Sequence, residues 1–190
     1  NEIDNAKIQS INSKFIIGFF GRVSPIKNLE FIINLIPSLA DDVQFHIHGV
    51  LEDKVYVNKL NSLIEKLNLL DRVFLLGDYK SEEIKTKIEN ISVVVIPSFS
   101  ENFCHVFFEA IEMKKIVVAS TGLPWIDANK RVENTLLPLE QDSWVNRLST
   151  IHNMSLEEYQ EEQNGLKEYY YYIRNAVQNK MVMSIKKIMV

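Results

Sequence analysis

Two glutamates eight positions apart, Glu101 and Glu109, stand in "PSFSENFCHVFFEA" (97–110), where an apolar run meets a polar loop and then a helical pattern. A packed core has no use for two carboxylates at such a junction. A ligand rich in hydroxyls does, because carboxylates accept hydrogen bonds from hydroxyls. If the helix opens near Cys104, then at about 100° per residue His105, Glu109 and Glu112 share one face, while Val106, Phe107, Ala110, Ile111 and Met113 spread over the other. Glu109 is then off the core. Glu101 sits in the loop where the unpaired backbone N–H groups of Phe103, Cys104 and His105 are exposed, and such groups donate to phosphate oxygens.

A second stretch offers positive charge. In "GFFGRVSPIKN" (18–28), Gly21 permits a tight turn, and Arg22 and Lys27 bring two cations to the start of a helix, itself an anion-attracting place. A phosphate or diphosphate suits this loop. The spacing is neither G-x-G-x-x-G nor G-x-x-x-x-G-K-[ST], so the dinucleotide fingerprint and the P-loop are both absent. A third stretch, "STGLPW" (120–125), has Gly122 and Pro124 to hold a turn close to a ligand, although ordinary turn chemistry explains it too. His46 and His48, at i and i+2, would point to one side of a strand as metal ligands do, but no carboxylate or cysteine cluster accompanies them, and no metal site is expected. Cys104 could be a thiolate nucleophile at a helix start; the reading preferred is a tolerated replacement for a small residue.

The elements that must position these residues show as six short apolar runs: "FIIGFF" (15–20), "VQFHIHG" (43–49), "RVFLLG" (72–77), "SVVVIP" (92–97), "KIVVAS" (115–120) and, more weakly, "NTLLPL" (134–139). Amphipathic segments such as "NLEFIINLIPSLA" and "KVYVNKLNSLIEKLNLL" separate them at a length that suits right-handed crossovers. The pattern predicts an α/β, doubly wound, Rossmann-like parallel sheet of about six strands with helices on both faces. Ligands of such sheets bind beyond the carboxyl ends of the strands, where all three stretches lie. After residue 140 the strand signal stops and a helical segment follows, opened by Ser155 and Glu158 in capping-box spacing. The run Tyr169 to Tyr172 within it reads as an apolar face packing on the sheet, with a docking surface as the alternative.

With 190 residues and 46% apolar content, one good core is affordable and one compact domain is the default. The expected divisions are a linker over 1–14, a ligand-binding domain over 15–150 and a helical segment over 151–190 that packs on it. The 21 basic and 25 acidic residues form no basic block, so nucleic acid is not an expected partner. A single cysteine allows no intrachain disulfide, and no apolar run approaches the ~20 residues of a membrane span. The chain reads as cytoplasmic. Beginning "NEIDNAKIQS", with neither an initiator Met nor a signal peptide, it is expected to be cut from something longer.

Together the three stretches resemble the C-terminal, donor-binding half of the retaining, GT-B-fold glycosyltransferases of family 4. "GRVSPIKN" is similar to the family's G-R-[LV]-x-x-x-K-[GN], "PSFSENFCHVFFEA" to P-S-x-x-E-x-F-G-x-x-x-x-E-A with its E-x7-E pair, and "VVASTGLP" to the segment that follows. The resemblance covers roughly residues 15 to 140. It implies transfer of a sugar from a UDP- or GDP-linked nucleotide-sugar with retention, in polysaccharide or glycolipid synthesis. Glu101, Arg22 and Lys27 would be the catalytic set. Arg22 and Lys27 would neutralise the diphosphate beside Gly21, Glu109 would hold the ribose, Glu101 would contact the transferred sugar, and the amides of Phe103, Cys104, His105 and Val106 would add donors. The leaving diphosphate would be stabilised electrostatically, without a protein general acid. It further implies no cofactor and no divalent metal, in keeping with the lack of a D-x-D motif, and a missing N-terminal domain that carries the acceptor site. The acceptor would be a glycan or a lipid-linked molecule, reached at the inner face of the cell membrane by peripheral association.

The sequence departs from the family pattern at Cys104, where the motif has glycine, at Lys114 and Ile116, where Gly and Pro are usual, and at Trp125, where an acidic residue commonly follows "GLP". A Cβ at position 104 would narrow the site. Two other readings share the fold: a non-catalytic nucleotide-sugar or protein-binding module, and a nucleotide-sugar epimerase or a phosphorylase.

Overall fold

The computed structural model describes residues 14–188; apart from Lys14, the expected linker lies outside them. Six strands form one parallel sheet in the order β3-β2-β1-β4-β5-β6: β1 (Phe15–Phe20), β2 (Val43–His48), β3 (Val73–Gly77), β4 (Val93–Ile96), β5 (Ile116–Ser120) and β6 (Leu136–Leu137). All five pairings are parallel, with Ile17 opposite Phe45 and Val93 and, farther out, Val94 opposite Val117. β1 and β4 are entered from opposite directions of winding, so the switch point of the sheet opens between their carboxyl ends.

Alternate strand residues serve two cores. On one face Phe15, Ile17, Phe19, Phe45, Val93, Val95 and Val118 pack under α1 (Leu29–Leu35), α2 (Lys54–Lys66) and α5 (Gln141–His152), the last inserting Trp144. On the other, Phe20, Val94, Ile96, Val117 and Ala119 pack under α3 (Ile84–Glu89), α4 (His105–Glu112) and α6 (Leu156–Ile188), through Phe107, Ile111, Leu166 and Tyr169. Coverage on both faces is why the strands read as continuous apolar runs.

The elements are shorter than their sequence patterns, for local reasons. α1 ends at Leu35 because Pro37 tightens the chain into a 3-10 turn, Ile36–Ser38. α2 stops at Lys66, four residues before its apolar pattern does, as Asn68 turns the backbone left-handed (φ 54). β6 keeps two residues, since Pro138 cannot donate to the ladder.

The capping box at the start of α6 forms as expected: Ser155 N donates to Glu158 Oε2 at 2.8 Å and Glu158 N to Ser155 Oγ at 3.2 Å. In the tyrosine run Tyr169 is buried, Tyr170 half-buried and donating to Glu112, and Tyr171 and Tyr172 are exposed, so one face of the run packs while the other meets solvent. Among the described residues no helix is long and apolar enough to cross a membrane.

Candidate functional site

A cavity of about 370 Å³ lies at the switch point. Its walls come from the end of β1 (Phe19 to Gly21), from Lys27, from Ile96 at the end of β4 and from the run Glu101 to Val106. Of the residues singled out above, Gly21, Lys27, Glu101, Phe103, Cys104, His105 and Val106 thus come together around one space. Arg22 and Glu109 stand outside that lining. Arg22 is exposed and has no ion-pair partner among the described residues. Glu109 is half-buried on α4, where its charge reaches Tyr79 in the loop after β3. Burial, with Glu109 and Asp78 adding to it, raises the Tyr79 phenol above its ordinary range.

The predicted faces of α4 hold in part: His105 and Glu112 are exposed and Phe107, Ala110 and Ile111 buried, but Val106 and Met113 are only half-buried, and Phe108, on the side of His105 and Glu112, is buried as well. Cys104 precedes the helix in a left-handed conformation (φ 61, ψ 72), a position that favours glycine. The turn it makes leaves the amides of Phe103, Cys104, His105 and Val106 donating to no backbone carbonyl among the described residues. Four N–H groups at a helix start beside the cavity wall make an anion-attracting edge. The Cys104 thiol is pushed up to about 12, first by burial and then by the negative charge of Glu101. It is a neutral, poorly nucleophilic thiol.

In the loop after β1 most amides around the start of α1 are already engaged: Leu29 N donates to the Tyr56 hydroxyl at 2.9 Å, Lys27 N to Ser24 O, Asn28 N to Pro25 O and Phe31 N to Asn28 O. The phenol in turn donates to Glu30, which also pairs with Lys59 at 2.8 Å. The cations this loop offers to an anion are the side chains of Arg22 and Lys27.

Lys27 meets Glu101 across the switch point, Nζ to Oε1 at 2.5 Å, with side-chain exposures of 20% and 12%. Ser98 Oγ donates to the same oxygen at 2.6 Å. Ser98 is fully buried, and its carbonyl accepts from Ser120 Oγ, tying the loop after β4 to the end of β5. Gly122 completes this tie. Its carbonyl accepts from Glu101 N at 3.0 Å, and a Cβ on it would lie 2.5 Å from the Phe99 carbonyl oxygen. The close approach that this glycine makes within the protein is to the loop carrying Glu101. Trp125, another departure from the family pattern, donates its indole N–H to Phe103 O at 2.6 Å and packs edge-on against Phe103 and Phe108.

Sequence reasoning missed Ser98, Gly49 and Tyr79. Ser98 was legible as the serine of the P-S-x-x-E stretch, but its partner oxygen was not. A Cβ on Gly49 (φ 155) would lie 1.7 Å from the carbonyl oxygen of Gly21, so the loops after β1 and β2 touch through bare backbone. His46 and His48 share one side of β2 with ring centroids 6.4 Å apart, but His48 stacks flat on Phe20 (4.8 Å, 10°). Among the described residues no group of three or more His, Cys, Asp or Glu side chains could hold a metal ion. A larger open depression of about 980 Å³, between α5, α6 and the loop before β6, gathers none of the predicted site residues.

The fold is shared with several solved structures. A glycosyltransferase from Rickettsia africae superposes with a TM-score of 0.82 at 17% identity, covering 99% of this chain and 51% of its own. The sucrose-phosphate synthase of Thermosynechococcus elongatus gives 0.80 at 18% identity, covering 100% of this chain and 49% of its own. HepE of Anabaena, solved in complex with UDP, gives 0.77 at 21% identity, covering 95% and 52%. This chain spans about half the length of each. No curated protein matches it. What the likeness of fold leaves open the sequence profile decides: the family described as glycosyl transferases group 1 matches residues 1–164, which include every wall of the switch-point cavity, and the chain belongs to that family.

Proposed function

We propose that this chain is the donor-binding half of a retaining glycosyltransferase of family 4, joined through residues 1–14 to an N-terminal domain that carries the acceptor site. The observation that carries the reading is the switch-point cavity, which is lined by Lys27, Glu101 and the run Phe103 to Val106, whose amides donate to no backbone carbonyl among the described residues. In this reading the diphosphate of a UDP- or GDP-linked sugar lies against Lys27, Arg22 and those amides, the sugar against Glu101 and the ribose against Glu109. Charge growing on the leaving diphosphate is met by fixed donors and cations, without a protein general acid or a required metal. The acceptor, a glycan or a lipid-linked molecule in polysaccharide or glycolipid synthesis, approaches from the other half, at the inner face of the membrane. HepE, which shares the fold, has been solved with UDP-glucose and lends this donor class support.

Calorimetric titration of the chain with UDP, GDP, ADP and their common sugar conjugates tests the reading. Saturable binding of one base is expected, and Glu109→Ala should weaken that nucleotide about tenfold through the lost ribose contact. No saturable binding of any of them overturns it. A second reading, a non-catalytic module of the same fold, draws on Cys104, whose side chain stands beside the cavity where the family motif has glycine. It predicts that a longer protein with both Glu101 and Glu109 changed to Gln keeps its biological role.

A further inference from the structure

Lys27 and Glu101 belong to one donor site, yet they bind each other. Glu101 Oε1 receives both the Lys27 ammonium at 2.5 Å and the Ser98 hydroxyl at 2.6 Å. Among the described residues no donor reaches Oε2. The carboxylate is held from three directions: by Lys27 from the loop after β1, by Ser98 from the end of β4, and by its own amide on Gly122 O from the loop after β5. The pair is mostly removed from solvent, so salt and water screen it less than a surface pair. A phosphate that approaches Lys27 therefore approaches a cation whose charge is already matched, next to a fixed anion.

The two ligands of a glycosyl-transfer site differ in how they meet that arrangement. In a nucleotide-sugar the terminal phosphate is esterified. In the nucleoside diphosphate left after transfer it is free, with a second ionisation near pH ~6, and so carries an additional negative charge at neutral pH. The sugar also brings hydroxyls that the open Oε2 can accept from, which the bare diphosphate lacks. We infer that Glu101, positioned by Ser98, sets the preference of this site for donor over product: its carboxylate competes with the terminal phosphate for Lys27 and repels the extra charge. Product release is then helped by re-formation of an ion pair within the protein. The inference rests on the donor-site reading above and adds to it a role for Ser98 and a consequence of the Lys27 pairing.

The test uses inorganic pyrophosphate, which is indifferent to the base, alongside the nucleoside diphosphate and nucleotide-sugar found to bind best. Glu101→Gln keeps the acceptor oxygen for Lys27 and Ser98 and removes only the charge. At pH 8 it should bind pyrophosphate and the bare diphosphate about tenfold tighter than the unaltered protein while changing nucleotide-sugar affinity much less. Lys27→Met should weaken all three. Ser98→Ala, which loosens the carboxylate without removing it, should shift the ratio of the two nucleotide affinities in the same direction by a smaller factor, and carries the test if Glu101→Gln does not fold. An unaltered protein that binds donor, together with variants that leave the ratio unchanged or bind pyrophosphate more weakly, overturns the inference alone. An unaltered protein that binds none of these ligands removes the donor-site reading, and the inference with it.

Discussion

Cys104 and Lys114 both stand in left-handed backbone, at φ 61 and 56, where the related motifs carry glycine. Each accepts a conformation that costs a side-chain-bearing residue about 1 kcal/mol. At Lys114 the reason for the conformation is a helix end: Lys115 N donates to Ala110 O and Lys114 N to Ile111 O, closing α4 with a Schellman turn. The two departures were visible in sequence; that both answer to the same backbone demand at the two ends of one helix was not, because φ is set by the chain around them. His48 was legible as part of a strand and illegible as a titrating group. Burial, then the positive charges of Lys87 and His46, hold its imidazole down to about 4, and its Nδ1 is buried without a partner among the described residues. An unfolded imidazole protonates near pH ~6.5. The folded state's preference for the neutral ring is therefore a stabilisation fully present above pH ~6.5 and lost as pH falls toward 4, on the order of 3 kcal/mol across that window. Urea midpoints measured from pH 7 to pH 4 should fall less steeply for His48→Phe than for the unaltered protein. Parallel profiles would show that His48 does not titrate in this way.

At the scale of elements, the strands were legible because a parallel strand covered on both faces is a short continuous β-branched run, and all six runs proposed became strands of one sheet. What periodicity cannot carry is contact between loops distant in sequence. Lys27 and Glu101 are 74 residues apart, Tyr56 and the Leu29 amide 27 apart, and both contacts follow from strand order, which no local pattern encodes. Gly49 belongs to this class. It ends the run "VQFHIHG" and looks like turn punctuation, yet a Cβ there would overlap the Gly21 carbonyl in the loop that carries Arg22 and Lys27. Gly77, at the corresponding end of β3, also has positive φ (75), but among the described residues nothing lies within 4 Å of its would-be Cβ. Gly49→Ala should thus cost about 3 kcal/mol or more in urea unfolding, because the β1 loop must move, and on the proposed donor-site reading it should also weaken nucleotide binding. Gly77→Ala should cost about 1 kcal/mol, the conformational penalty alone. Similar losses at the two positions would mean that the approach of the β1 and β2 loops is slack.

At the scale of the whole molecule, the question is what makes the helical segment after residue 150 part of the sheet domain. Apolar anchoring supplies much of it, with Leu166 and Tyr169 buried against α4 and the Tyr159 hydroxyl donating to Ser92 O at 2.7 Å. A buried ion pair adds orientation. Arg147 on α5, 6% exposed, forks onto Glu162 on α6, Nη1 to Oε1 at 2.9 Å and Nη2 to Oε2 at 2.5 Å, while its Nε finds no partner among the described residues. A bidentate pair fixes the rotation of one helix against the other as an apolar contact cannot. Its net contribution to stability is small, because desolvating two charges offsets their attraction, and the unpartnered Nε adds to the cost. Breaking it on one side is another matter. Glu162→Ala would leave the guanidinium buried without a counter-charge, and should destabilise the chain by about 3 kcal/mol or more. The double change Arg147→Met with Glu162→Leu should recover most of that loss. Comparison of the three proteins by urea unfolding separates the two roles: a double variant as unstable as Glu162→Ala would mean that the pair itself holds α6 to the domain, whereas recovery would mean that apolar burial holds the helix and the pair sets its register.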